Sequence, residues 1–166
     1  MNIHLVAATG HGTTKLSAFD SALCNAGVYN YNLIRLSSVI PPNSIIQEVP
    51  AYQTPPEEYG HRLYVVYAEI RTALPKEWAG AVVGWYQLSD GRGVFVEHEA
   101  TGQDGRSLEQ DLIAEARASV TDLCRSRGYV VTAESIHTRS VVAQATDKKA
   151  ASALAIAVYK SQSWEI

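Results

Sequence analysis

The residues with the clearest chemical potential are two adjacent serines, Ser37 and Ser38, in the stretch NLIRLSSVIPPNS (32–44). A serine hydroxyl is a nucleophile once a neighbouring group activates it. The prolines that follow, Pro41 and Pro42, fix φ at their own positions and restrict the residue before them. From these residues alone two interpretations are open: a β-strand that ends in a proline turn, or a backbone that cleaves itself.

A pair of glutamates with one residue between them forms the second candidate, in VEHEA (96–100). On a β-strand Glu97 and Glu99 point to one face of the sheet and His98 to the other. Two carboxylates this close repel each other, which raises the pKa of one of them and makes it a candidate proton donor. The alternative interpretation is a sheet face that water covers.

The histidines and cysteines do not form a metal-binding pattern. The five histidines are scattered, with no pair at the i, i+4 spacing of a helical site and none beside a cysteine pair. Cys24 and Cys124 are too few for a disulfide framework, and we interpret both as small core residues of a protein in a reducing compartment. No metal site is therefore expected.

Length and composition are those of one globular domain. The chain has 166 residues, of which 46% are apolar and 19% charged, which is enough apolar material for a core. The net charge of −3 gives no reason to expect nucleic acid or an anionic membrane as a partner. The apolar run near the N-terminus is too short for a signal peptide, and no run reaches membrane-spanning length. We therefore expect a soluble, cytoplasmic protein.

The elements that must position the candidate residues are two helices and several strands. Apolar residues at helical spacing predict one helix over 16–26, which begins after Thr14 and ends at Gly27. A longer helix is predicted to start with a capping box formed by Ser107 and Gln110. Strand-like runs cover the following ranges: 3–8, 31–38, 62–74, 79–89, 94–100, 129–144 and 151–160.

The order of these elements predicts an α+β fold in a single domain, 1–166. The runs 79–89 and 94–100 are joined by a short turn and are expected to form a hairpin. Most strands should therefore be antiparallel, in a β-sandwich that the helices cover in four αββα-like layers. The pattern lacks the βαβ periodicity of a doubly wound nucleotide-binding fold.

Taken together, four segments resemble the pyruvoyl-dependent arginine decarboxylases. The segments are LSAFDSALCNAG (16–27), NLIRLSSVIPP (32–42), VEHEATG (96–102) and the C-terminal run 136–160. They come in the family's order and at about its spacing, and the match covers most of the chain. An isolated pair of serines or prolines would not indicate any family, whereas the whole 32–42 stretch is specific to this one.

The resemblance implies a proenzyme that cleaves itself between Ser37 and Ser38, into 1–37 (the β chain) and 38–166 (the α chain). The Ser38 hydroxyl would attack the Ser37 carbonyl and convert the amide into an ester. Asn32, at the family's matching position, would donate a hydrogen bond to the oxyanion. Elimination would free the Ser37 carboxylate, and the dehydroalanine left at position 38 would hydrolyse to a pyruvoyl group with loss of ammonia.

The resemblance further implies decarboxylation of L-arginine to agmatine and carbon dioxide, through a Schiff base on the pyruvoyl group derived from Ser38. Glu97 matches the family's proton donor, Glu99 would raise its pKa, and either of the two could be the residue that donates. Asp20 matches the acidic residue that binds the guanidinium. The family's compact trimers, or dimers of trimers of processed αβ units, have sites between subunits, so Asp20 would serve a neighbouring chain's pyruvoyl group.

Two alternatives stay open at this point. The segment ATGHGTTK (8–15) and His98 depart from the family's pattern close to the expected substrate pocket. These departures leave room for a pyruvoyl-dependent decarboxylase of another amino acid. The other alternative is a homologue that kept the fold but neither cleaves itself nor catalyses.

Overall fold

The secondary structure comes from a computed structural model that describes residues 1–164. Two helices are present: α1 (Lys15–Ala26) and α2 (Gly105–Ser126). The strands are β1 (Asn2–Gly12), β2 (Asn32–Arg35), β3 (Val39–Ile40), β4 (Ile45–Glu48), β5 (Arg62–Thr72), β6 (Trp78–Gln87), β7 (Gly93–Gly102), β8 (His137–Gln144) and β9 (Ala150–Gln162). Two short 3-10 helices lie at Pro56–Glu58 and Ala133–Ser135.

The strands form two sheets. The first sheet has five strands in the order β2-β5-β9-β1-β4, and the second has four in the order β3-β7-β6-β8. Only the edge pairs β1–β4 and β2–β5 are parallel, and the other pairs are antiparallel. The predicted hairpin is confirmed as β6 and β7, in which Trp85 lies opposite Phe95.

The alternation of side chains along β9 shows how the layers are built, because neighbouring residues of a strand face opposite sides of a sheet. One set packs against the second sheet: Ala153, Ala155, Ala157 and Tyr159. The alternate set packs against α1: Leu154, Ile156 and Val158. On the far side, β6 and β7 bury Val82, Val94 and Val96 against α2. The layers are therefore helix, sheet, sheet and helix, which confirms the predicted αββα sandwich.

Helix α1 begins and ends as its sequence predicts. Thr14 is the N-cap: its side chain accepts from the backbone N–H of Ser17 at 3.0 Å, and the Ser17 hydroxyl accepts from the Thr14 N–H at 3.0 Å. Gly27 ends the helix with φ of 80°. The buried face consists of small residues, Ala18, Ala22 and Ala26, whereas Leu16, the first apolar residue of the predicted helix, is 69% exposed.

Helix α1 lies very close to β1, and this close approach sets its position. A Cβ atom on Gly10 would stand 2.2 Å from the backbone nitrogen of Ala22, so no larger residue fits there without moving the helix. Alanine on one element and glycine on the other let the two backbones approach. The contact fixes α1 on the outer face of the first sheet. Asp20 lies on the exposed side of this helix.

The predicted capping box of the long helix is wrong. Helix α2 begins three residues earlier, and Asp104 is its N-cap, with its carboxylate accepting from the Ser107 N–H at 2.8 Å. An aspartate carboxylate is a strong N-cap because it satisfies a free N–H and complements the positive end of the helix dipole. Ser107 is therefore the third residue of the helix rather than its cap.

Two other predictions differ from the structure. Of the predicted strand 129–144, only 137–144 is a strand, because the preceding residues form a 3-10 turn in which the Thr132 N–H donates to the Ser135 hydroxyl at 3.1 Å. Cys124 is fully buried as predicted, but Cys24 is exposed. Cys24 lies two residues from Ala22, which at about 100° per residue places it on the opposite side of α1. Within 1–164, no helix is long and apolar enough to cross a membrane.

Candidate active site

The stretch that contains the two serines crosses from one sheet to the other. The Leu36 N–H donates to the Val65 carbonyl of β5 at 2.8 Å, which is the last backbone contact of this segment with the first sheet. Two residues later, the Ser38 carbonyl accepts from the Phe95 N–H of β7 at 2.9 Å. Ser37 is exposed and lies between these two anchors. The predicted strand 31–38 therefore ends at Arg35, and the bond between the serines belongs to the crossover.

Ser38 is held in an unusual backbone conformation. Its φ is +50°, in the left-handed region that residues other than glycine rarely adopt. Such a conformation costs about 1–3 kcal/mol and persists only where the surrounding contacts hold it. Its side chain is also held, because the hydroxyl donates to Oε1 of Glu97 at 2.6 Å. The residue is thus fixed at both its backbone and its nucleophilic oxygen.

Glu97 lies on β7, on the face that points into the sandwich, and is partly buried. Burial is the main reason why the pKa of its carboxyl is raised above its usual value. The hydrogen bond from Ser38 and the positive charge of Arg35 lower this pKa, and the charge of Glu99 raises it as a smaller contribution. Glu99 therefore raises this pKa as the sequence predicts, but burial is the larger cause.

The other two residues of VEHEA also take the faces that alternation predicts. Glu99 is on the same side of β7 as Glu97 but is exposed. His98 faces α2: its Nε2 lies 2.9 Å from the Ser119 hydroxyl, and its Nδ1 lies 3.4 Å from the Glu115 carboxylate. Of the two glutamates, only Glu97 contacts Ser38, and His98 points away from it.

Two residues of the site were not singled out from the sequence. Arg35 stacks over the ring of Tyr67, with its guanidinium carbon 4.8 Å from the ring centre, and donates to the Tyr67 carbonyl at 2.9 Å. Tyr159 on β9 donates its hydroxyl to the carbonyl of Val39 at 2.9 Å. A signal existed for each residue, since Arg35 is part of the NLIRLSS stretch and Tyr159 ends an alanine-rich apolar strand.

Asn32 and Asp20 lie away from Ser38 within one chain. The Asn32 carboxamide donates to the Gly60 carbonyl at 2.7 Å, at the start of β2. Strand β2 then runs three residues towards the serines, or roughly 10 Å at 3.3 Å per residue. Asp20 is exposed on α1, which packs on the outer face of the first sheet. The structure therefore brings together Ser38, Glu97 and Arg35 but not Asn32 or Asp20.

The Ser38–Glu97 pair lies outside two cavities of the chain. These cavities, of about 360 and 400 Å³, are lined by other residues, among them His4 and Tyr52 in one and Trp85 and His137 in the other. Ser37 is exposed, so the stretch that contains the two serines is open to solvent on one side.

The chemistry of this arrangement follows from its two central groups. The Ser38 oxygen lies next to the Ser37 carbonyl carbon in the chain, and its proton is directed at a carboxylate. The same carboxyl group has a raised pKa, which favours its protonated form and suits it to donate a proton. The pair combines an activated nucleophile with a group that can accept and return a proton.

Comparisons with known proteins identify the family to which the chain is similar. The family model of the pyruvoyl-dependent arginine decarboxylases matches residues 2–164. A protein of Methanopyrus kandleri with that name is 31% identical over 92% of this chain and 91% of its own length. A protein of Halobacterium salinarum with the same name is 32% identical over 95% of this chain and 92% of its own. One from Methanocaldococcus jannaschii is 40% identical over a shorter region, 45% of this chain and 50% of its own.

Proposed function

Because the chain belongs to the pyruvoyl-dependent arginine decarboxylase family, we propose that it cleaves itself between Ser37 and Ser38 and then converts L-arginine to agmatine and carbon dioxide. The observation that carries this proposal is the 2.6 Å hydrogen bond from the Ser38 hydroxyl to Glu97. It joins the residue at the proposed cut to the residue proposed as proton donor.

The first reaction uses the Ser38 hydroxyl as an internal nucleophile. As its proton moves towards Glu97, its oxygen attacks the Ser37 carbonyl carbon, and the peptide bond becomes an ester with a free amine on residue 38. Loss of the Ser38 Cα proton then breaks the Cβ–O bond and releases the Ser37 carboxylate. Water adds to the dehydroalanine at position 38, and ammonia leaves. The products are 1–37 and 38–166, the second with a pyruvoyl group at its N-terminus.

For the second reaction, a pyruvoyl group at position 38 would supply a ketone that can condense with the substrate α-amine and take up the electrons released as carbon dioxide leaves. Glu97 donates the proton that replaces the lost carboxylate. Cleavage removes the Ser38 hydroxyl, and with it the hydrogen bond that lowers the Glu97 pKa. Without this hydrogen bond, burial raises the pKa of Glu97 further, which favours its acid form in the processed protein.

The roles proposed for Asp20 and Asn32 depend on the assembly of several subunits. Both side chains are exposed and lie away from Ser38 in one chain, so we place them at the Ser38 of a neighbouring subunit in a homotrimer or a dimer of trimers. There Asp20 binds the guanidinium of the substrate, and Asn32 donates to the oxyanion of the cut. A location in the cytoplasm stays a prediction from the sequence.

The mass of the purified protein tests the first reaction directly. We expect two fragments, ending at Ser37 and beginning at position 38, whose masses sum to that of the intact chain plus one water minus one ammonia. Mass spectrometry under denaturing conditions measures both fragments. A single intact chain of 166 residues after prolonged incubation would favour the alternative of an unprocessed, non-catalytic homologue.

Replacing Asp20 by asparagine tests substrate recognition. We expect the KM for arginine to rise about ten- to a hundredfold, because a charge-assisted hydrogen bond contributes about 1.5–3 kcal/mol. Self-cleavage should continue unchanged, since Asp20 takes no part in it. Carbon dioxide release from radiolabelled arginine measures the KM.

The matched control is Asp111→Asn, which changes an exposed aspartate on α2 in the same way. It should leave the KM for arginine as it is. An unchanged KM in the Asp20 variant would contradict the recognition role. Carbon dioxide release from lysine, ornithine, histidine and acidic amino acids then decides whether the substrate is another amino acid.

A further inference from the structure

The peptide that follows the proposed cut is held from two directions. The Ser38 carbonyl accepts from the backbone N–H of Phe95 at 2.9 Å, and the Val39 carbonyl accepts from the Tyr159 hydroxyl at 2.9 Å. The first donor belongs to the second sheet and the second donor to the first sheet. Among residues 1–164, Tyr159 is the residue whose side chain donates a hydrogen bond to the backbone of 38–40. It therefore connects the two sheets at the cleavage stretch.

Tyr159 is well placed to act as a fixed donor. It is 8% exposed and lies in the core between the sheets, with its ring edge-on to Phe95 at a centroid distance of 6.2 Å. Burial, and then the nearby charge of Glu97, raise the pKa of its hydroxyl above the usual value, so it keeps its proton. The ring is packed in the core, and its hydroxyl donates to the Val39 carbonyl.

The backbone at the cut needs such an anchor. Ser38 has φ of +50°, and this conformation is retained only if its neighbours hold it. The next strand, β3, contains only two residues, Val39 and Ile40, paired with Val94 and Gly93. Once the bond to Ser37 is broken, residue 38 becomes a chain end, and chain ends lose order unless they are tied down.

We propose that Tyr159 is a positioning residue for both reactions of the proposed function: its hydroxyl anchors the Val39 peptide so that residue 38 stays directed at Glu97 before and after the chain is cut. It acts through the backbone and touches neither the Ser38 hydroxyl nor the substrate. The inference rests on the proposed function for its kinetic consequences, whereas the anchor itself can be measured on an uncleaved chain.

The chain offers a matched control for removing this hydroxyl. Tyr86 is 7% exposed and donates its hydroxyl to the Val130 carbonyl at 2.9 Å, in the core beneath α2. Tyr86→Phe and Tyr159→Phe thus each delete one buried hydroxyl that donates to a backbone carbonyl. We expect similar losses of thermal stability from both. Only Tyr159→Phe should affect the reactions.

We expect Tyr159→Phe to slow self-cleavage about fivefold, the factor that one hydrogen bond of about 1 kcal/mol corresponds to. The fraction of cleaved chain, followed by mass spectrometry after synthesis, measures this rate. In the fully processed variant kcat should fall by a similar factor, with the KM for arginine unchanged. Equal cleavage rates in the Tyr159→Phe, Tyr86→Phe and unsubstituted proteins would overturn the proposal, as would equal slowing by both substitutions.

A second measurement separates this inference from the proposed function. In the uncleavable Ser38→Ala background, Tyr159→Phe should speed hydrogen exchange of the Phe95 amide, which donates to residue 38, about fivefold. Adding Tyr86→Phe instead should leave that amide unchanged. If the unsubstituted protein never cleaves, the proposed function fails, and the exchange rate of this amide alone decides whether Tyr159 is an anchor.

Discussion

Ser38→Ala leaves the protein as one uncleaved chain with no decarboxylase activity. Alanine has no oxygen to attack the Ser37 carbonyl, and it has no leaving group whose loss could give dehydroalanine. Without the cut there is no ketone to bind the substrate amine. The expected loss of both reactions is complete. Denaturing electrophoresis measures cleavage, and borohydride trapping with arginine measures Schiff base formation.

The fold should survive this substitution. Serine and alanine meet the same steric restriction at φ of +50°, so the backbone cost of position 38 is unchanged. The natural control is Ser37→Ala, because the mechanism uses the carbonyl of Ser37 and leaves its exposed hydroxyl idle. That variant should still be cut. Arginine-dependent carbon dioxide release by the Ser38→Ala protein would end the proposed mechanism.

Glu97→Gln gives the second large effect, and it acts on both reactions. The glutamine Oε1 can still accept a hydrogen bond from the Ser38 hydroxyl but cannot take up its proton, so self-cleavage should become slower. Glutamine cannot donate the proton that replaces the departing carboxylate. Since general acid catalysis contributes about 10²–10⁴-fold, we expect kcat to fall by about that factor. The kcat of fully cleaved protein, confirmed by mass, is the quantity to measure.

The pH dependence of kcat also tests the role of Glu97 as the proton donor. In the proposed reaction the acid form of Glu97 donates the proton, and burial raises the pKa of its carboxyl. Activity should therefore persist above the ordinary pKa range of a glutamate and decline as the pH rises through the raised value. Glu99→Gln is the control, since Glu99 is exposed and contributes less to this pKa. If Glu99→Gln loses activity and Glu97→Gln keeps it, Glu99 is the proton donor instead.

Local patterns predicted those features that depend on neighbouring residues. The alternation of VEHEA placed Glu97 and Glu99 on one face, and the Thr14 and Gly27 signals located both ends of α1. The start of α2 was predicted wrongly: Ser107 matched a capping box, but the carboxylate of Asp104 occupies the N-cap position.

Local sequence patterns could not predict contacts between distant parts of the chain. The Ser38–Glu97 bond joins residues 59 positions apart, and the Tyr159–Val39 bond joins residues 120 positions apart. Both depend on strand register and on how the two sheets face each other. The resemblance to a family pointed to Ser38 and Glu97 together. It carried no information on Tyr159, whose role depends on the packing of β9 against β3.

The position of β1 has a consequence for the protein after the cut. The fragment 1–37 contains β1, α1 and β2, and β1 lies inside the first sheet between β9 and β4, with Ile3, Leu5 and Val6 fully buried. If the chain is cut as proposed, the small fragment could not leave without dismantling the sheet, and the two fragments would stay together in the native particle. Unfolding of the cut protein would release two separate chains, so its midpoint would depend on protein concentration. Refolding would require the two chains to meet again, because no peptide bond would hold them together.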